Sequence, residues 1–73
     1  MYKFLIVIEK LRNNYSAYAP DLPGCVATGK TKKITEKNMS EAIRMHLEGL
    51  AEEHRPIPRA KAISEYVVVK EKI

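Results

Sequence analysis

The sequence predicts an α+β fold: a small, mainly antiparallel sheet with one long helix on one face, in the order β-β-β-α-β. Three observations carry that expectation. Residues 2–10 and 63–70 are dense in β-branched and aromatic side chains, as strands are. Residues 31–53 carry apolar side chains at steps of three and four, the spacing of one face of a helix. Asn, Pro and Gly clusters punctuate the stretches between.

Along the first strand, successive side chains alternate. Tyr2, Phe4, Ile6 and Ile8 take one face, and Lys3, Leu5, Val7 and Glu9 the other. Arg12-Asn13-Asn14 turns the chain, since asparagine tolerates the left-handed backbone of tight hairpins. Residues 15–19 return as the second strand. Pro20-Asp21-Leu22-Pro23-Gly24 then breaks the ladder. Pro23 presets φ for the second position of a type II turn, and Gly24 supplies positive φ at the third. A short third strand over residues 25–28 ends at Gly29.

The helix is expected from Thr31, a candidate N-cap, to about Glu53, roughly 34 Å at 1.5 Å per residue. Its apolar stripe is Thr35, Met39, Ala42, Ile43, His46, Leu47 and Leu50. Gly49 weakens the last turn by about 1 kcal/mol relative to alanine, so fraying is expected there. Pro56-Ile57-Pro58 cannot continue a helix and favours extended backbone. Residues 63–70, with Tyr66, Val67, Val68 and Val69, follow as the last strand.

Seventy-three residues make one domain, residues 1–73, that buries only about 60% of its unfolded surface. Such a core needs a supplement. Cys25 is the only cysteine, which excludes an internal disulfide and points to a reducing compartment. Cys25, His46 and His54 lack the paired spacing of a zinc site. Self-association remains, and a homo-oligomer, dimer or tetramer, is expected. The longest apolar run, Phe4 to Ile8, is far short of the roughly 20 residues of a membrane span. No basic segment precedes a longer apolar core as in a secretory signal, so a cytoplasmic location is expected. Thirteen basic against nine acidic residues leave a net charge of +4, which allows attraction to nucleic acid or to an acidic protein without choosing between them.

One helix can cover only one face of a sheet. Yet the first strand opposes Leu5 and Val7 to Phe4, Ile6 and Ile8, and the last opposes Val67 and Val69 to Tyr66 and Val68. A strand covered on one side should alternate apolar with polar. Leu5, Val7, Val67 and Val69 are therefore candidates for an oligomer or partner face. Ile34 and Met45 join them, lying about 120° from the centre of the helix stripe.

No catalytic constellation is legible, and neither a cofactor nor a metal is expected. His46 reads as a packed histidine within the stripe, and Cys25 as a small buried hydrophobe. His54 lies just past the helix, where a cation meets the negative end of the dipole. Asp21 is the only carboxylate between Glu9 and Glu36, too few for a two-metal nuclease; it reads as a turn residue bonding its own backbone. Lys30, Lys32, Lys33 and Lys37 form a candidate basic patch where the helix dipole disfavours cations. Against that, Lys32–Glu36, Lys37–Glu41 and Arg44–Glu48 are spaced to pair on a solvated face.

Several segments together resemble the HicB-like antitoxin family. They are Tyr15-Ser-Ala-Tyr-Ala-Pro-Asp-Leu-Pro-Gly-Cys25, Gly29-x-Thr31, Asn38, Glu41-Ala-Ile-x-x-His-Leu-Glu-Gly-Leu50 and Pro56-Ile-Pro58. The resemblance runs from Tyr2 to about Val69. It implies a partial ribonuclease-H-like fold without a nuclease centre, and a role in a toxin–antitoxin system. The partner it implies is a small mRNA-cleaving toxin of the HicA type, neutralised by covering its active surface. Family members often carry a further DNA-binding domain; the sequence ends at Ile73, so operator binding is not expected. Tyr18, Pro20, Asp21, Pro23 and Gly24 are the candidates for loop architecture with partner contact. The lysine-rich helix start departs from relatives that are acidic there. It keeps two alternatives open: a small basic RNA- or DNA-binding module, and a solitary HicB-like protein with another partner.

Overall fold

The computed structural model describes residues 1–73. Strands β1 (Val7–Lys10), β2 (Tyr15–Tyr18) and β3 (Val26–Gly29) form an antiparallel meander in the order β1-β2-β3. One helix, α1 (Lys32–Glu52), follows them, and the fold is α+β as expected. The helix packs most extensively on β3, then on β2, and least on β1. Register sets the covered face: Ile8, Ala17 and Ala27 pair across the sheet and pack into the core beneath α1. Met39, fully buried, comes down from the helix onto this row of small residues. Phe4, Ile6, Ala42, Ile43 and Leu47 flank it, so the predicted inward faces of both the first strand and the helix are the observed ones.

The Pro-Asp-Leu-Pro-Gly segment is two consecutive β-turns. Leu22 N–H donates to the Ala19 carbonyl at 3.0 Å and Cys25 N–H to the Leu22 carbonyl at 3.1 Å. Gly24 has φ of +82°, the value the third position of a type II turn requires. The turn corners Ala19, Leu22 and Cys25 are all buried while Pro20 and Pro23 stay exposed. The loop thus folds one side chain in three into the core.

Thr31 caps the helix as expected, its Oγ1 accepting from Ile34 N–H at 3.0 Å. The buried Thr35 Oγ1 donates to the Thr31 carbonyl at 2.8 Å, and Asn38 Nδ2 donates to the Thr28 carbonyl at 2.8 Å, tying the helix to β3. Gly29 permits the close approach. A Cβ there would stand 2.7 Å from Thr35 Oγ1 and 2.9 Å from Thr35 N. At the other end the helix continues through Gly49 to Glu52. His54 N–H donates to the Ala51 carbonyl and Arg55 N–H to the Leu50 carbonyl, a Schellman closure. His54 takes the left-handed conformation (φ 56°) that glycine usually supplies. Its capping is therefore done by backbone geometry, where the sequence suggested the imidazole charge.

Three expectations are corrected. The hairpin closes over four residues between the paired Lys10 and Tyr15, with Leu11 N–H donating to the Asn14 carbonyl at 2.7 Å. A four-residue loop spreads the reversal, and neither Asn13 nor Asn14 has positive φ. The first ladder begins only at Val7, opposite Tyr18, because Ala19 and the residues after it have left the sheet for the turns. The last element, residues 63–70, is not a strand in this chain. A strand exists only against a neighbour, and no backbone–backbone hydrogen bond reaches any residue of 56–73.

Candidate interaction surface

With Ile8, Ala17 and Ala27 turned to the helix, the rows Val7–Tyr18–Val26 and Glu9–Ser16–Thr28 lie on the opposite face of the sheet. The first row is apolar and the second polar. Tyr18 and Val26 are exposed (42% and 62%), while Val7 and its neighbour Leu5 are half-buried. No element covers this face, as the two-sided pattern of the first strand anticipated. Met45, exposed on the helix, joins Val26, Gly24 and His46 around an open depression at the outer edge of β3. Ile34 is exposed too, its Cγ2 lying over Gly29.

Asp21 does something the sequence did not disclose. Its Oδ2 accepts from the backbone N–H groups of both Lys61 and Ala62, each at 2.9 Å. The carboxylate clamps a segment 40 residues away, where the sequence suggested a bond to its own turn. Pro20, Pro23 and Gly24 are exposed beside it on the double turn, and Tyr18 sits at the end of β2 on the open face. The clamped stretch, residues 60–64, borders an open groove whose other wall is residues 3–6. Beyond it Tyr66, Val67, Val68 and Val69 are exposed on both sides, so neither half of the expected alternation packs against this chain.

Lys30, Lys32, Lys33 and Lys37 are all exposed at the start of α1, and no acidic residue stands in its first turn. Of the three pairs that spacing suggested, only Arg44–Glu48 closes, at 3.4 Å; Arg55–Glu53 adds another at 3.4 Å. Lys32–Glu36 and Lys37–Glu41 do not close; an exposed pair is near neutral in energy, so spacing alone does not decide which ones form. Arg12 and Lys30 share a shallow bowl between the hairpin tip and the helix start. The Cys25 thiol is buried, and burial pushes its pKa up, away from a reactive thiolate. His46 is half-buried in the helix stripe. No three His, Cys, Asp or Glu side chains converge to hold a metal ion, and no helix is long and apolar enough to cross a membrane.

These features define a small antiparallel meander roofed on one face by a helix. The chain belongs to the HicB-like antitoxin family of bacterial toxin–antitoxin systems, whose family profile matches residues 4–72. It is 37% identical over 62 residues to an uncharacterised 14.9 kDa protein from the rep–hol intergenic region of Haemophilus phage HP1, an alignment covering 85% of this chain and 47% of that protein. It is 36% identical over 64 residues to a UPF0150 protein of Synechocystis, covering 86% and 81% of the two chains. A UPF0150 protein of Thermoplasma acidophilum is 41% identical over 61 residues, covering 82% and 88%. The chain thus spans about half the length of the phage relative and most of the other two. No solved structure matches it.

Proposed function

We propose that this chain is a non-catalytic antitoxin module that neutralises a small mRNA-cleaving toxin of the HicA type by covering its active surface. Membership of the antitoxin family supports the toxin partner in general. The observation that carries the covering role is the bare sheet face, where Leu5, Val7, Tyr18 and Val26 present apolar surface opposite the helix. Exposed apolar patches of this kind mark protein interfaces. The double turn, with Pro20, Pro23 and Gly24 exposed and Asp21 half-buried, rims it. In this reading the chain is a single cytoplasmic unit with a partial ribonuclease-H-like fold and no cofactor.

The test is co-expression with a small toxin of the HicA type, followed by pull-down and an RNA-cleavage assay. The wild type is expected to bind and to protect RNA. Tyr18→Asp with Val26→Asp is expected to lose protection while keeping its helical signal. Absence of a complex and of protection rejects the reading, and full protection by the double variant moves the interface elsewhere.

The unpaired lysines favour a second reading, a basic module that binds RNA or DNA through Lys30, Lys32, Lys33 and Lys37. Phosphate contacts release counterions, so log K would fall linearly with log[salt]. A flat plot rules this out. A solitary HicB-like protein with another partner is what remains if neither toxin nor nucleic acid binds.

A further inference from the structure

Two halves of one strand pairing stand open in the same chain. The first is a sheet edge. β1 is hydrogen-bonded to β2 alone, and residues 1–6 make no backbone–backbone hydrogen bond. The second is the arm beyond the Asp21 clamp. Tyr66, Val67, Val68 and Val69 are 101%, 81%, 95% and 72% exposed, and the backbone of residues 56–73 bonds to no other backbone. The arm is fixed only at its base, where Asp21 holds Lys61 and Ala62, and the molecule measures 53 Å along its longest axis against 28 and 19 Å across. A bare edge and a free β-branched segment are each aggregation hazards unless they meet a partner.

We propose that residues 65–70 of one copy add as a strand to the β1 edge of a second copy, which returns its own arm to the first. Edge and arm are encoded together one-to-one, so reciprocal exchange about a two-fold axis satisfies both and leaves neither open. The alternation of the arm fits such a slot. One of its rows, Tyr66 with Val68 or Val67 with Val69, extends the helix-side layer of Phe4, Ile6 and Ile8. The other extends the open face at Leu5 and Val7. This explains why a segment that packs on nothing in its own chain is apolar on both sides. Burying Ile63 and the four residues Tyr66 to Val69 on each arm removes roughly 1,000–1,500 Å² in all before counting the edges they cover, within the range of stable dimers. The exchange uses the edge of β1, whereas the proposed toxin contact uses the open face, where Tyr18 and Val26 lie on the two strands beyond that edge.

The experiment is sedimentation of the full 73-residue chain across a concentration series, with amide exchange of residues 65–70 read at high and low concentration. A dimer mass is expected, with protection of those amides that disappears on dilution. Val67→Asp with Val69→Asp is expected to halve the mass and leave the far-UV helical signal intact. Tyr18→Asp with Val26→Asp is expected to dimerise normally, which separates a failure here from a failure of the toxin reading. A monomer with a protected arm overturns the proposal, because the arm would then pair with its own edge. A monomer with an unprotected arm overturns it as well, and so does an oligomer in which residues 65–70 exchange freely.

Discussion

Removing the Asp21 carboxylate should release the arm at its base without unfolding the body. The carboxylate is the only acceptor holding the backbone of residues 56–73, through Lys61 and Ala62 at 2.9 Å each. A hydrogen bond to a charged group contributes about 1.5–3 kcal/mol when well shielded. Lys61 is exposed, and Asp21 and Ala62 are half-buried, so solvent competition brings the two bonds together to about 2 kcal/mol. Asp21→Ala is therefore expected to raise the opening equilibrium at Lys61 and Ala62 by about thirtyfold. Amide exchange at those two positions reads it directly. Asp21→Asn is the informative companion. Both bonds end on the same oxygen, so an amide oxygen in that place keeps both acceptors and loses only the charge. Its effect should be about 1 kcal/mol or less. Unchanged exchange in Asp21→Ala would refute the clamp, and an asparagine variant as loose as the alanine one would refute the single-acceptor geometry.

Gly29, packed against the helix start, and Gly49, inside the helix, should respond with opposite sign. Gly29→Ala is expected to destabilise by about 1–3 kcal/mol, since its Cβ has no room beside Thr35. Gly49→Ala meets nothing within 4 Å and should stabilise by about 0.5–1 kcal/mol; urea unfolding of both checks the pair. His54→Gly relieves a left-handed non-glycine residue and should add about 1 kcal/mol, or roughly 4–8 °C in Tm for a chain this size. The Cys25 thiol, raised by burial, should resist maleimide in the native state and react on unfolding. Burial holds its folded pKa above the unfolded value, so its contribution to stability is complete below the unfolded pKa and is lost as pH rises towards and through the folded pKa. Cys25→Ser should flatten that alkaline decline in a series of melts.

Much of the body was readable because it rests on local rules. The alternation from Phe4 to Ile8 marked its inward face, Pro23-Gly24 announced a type II turn, and the three–four spacing from Thr35 to Leu50 placed the helix on its stripe. Each depends on residues within a turn or two of one another. Lys32–Glu36 and Lys37–Glu41 share the spacing of Arg44–Glu48 and did not close; exposed pairs are near neutral in energy, so the spacing does not decide which of them forms.

Residue order alone shows which side chains want burial: the helix stripe, the inward face of the first strand and a last segment apolar on both sides. Tertiary structure alone decided where those demands are met. It set Asp21 against backbone 40 residues away, pressed Gly29 onto the helix start, and left residues 63–70 outside the sheet. The reason is that periodicity is a property of a segment, whereas a strand, a clamp and a close approach are properties of a pair. The second member of each pair is chosen by the whole fold.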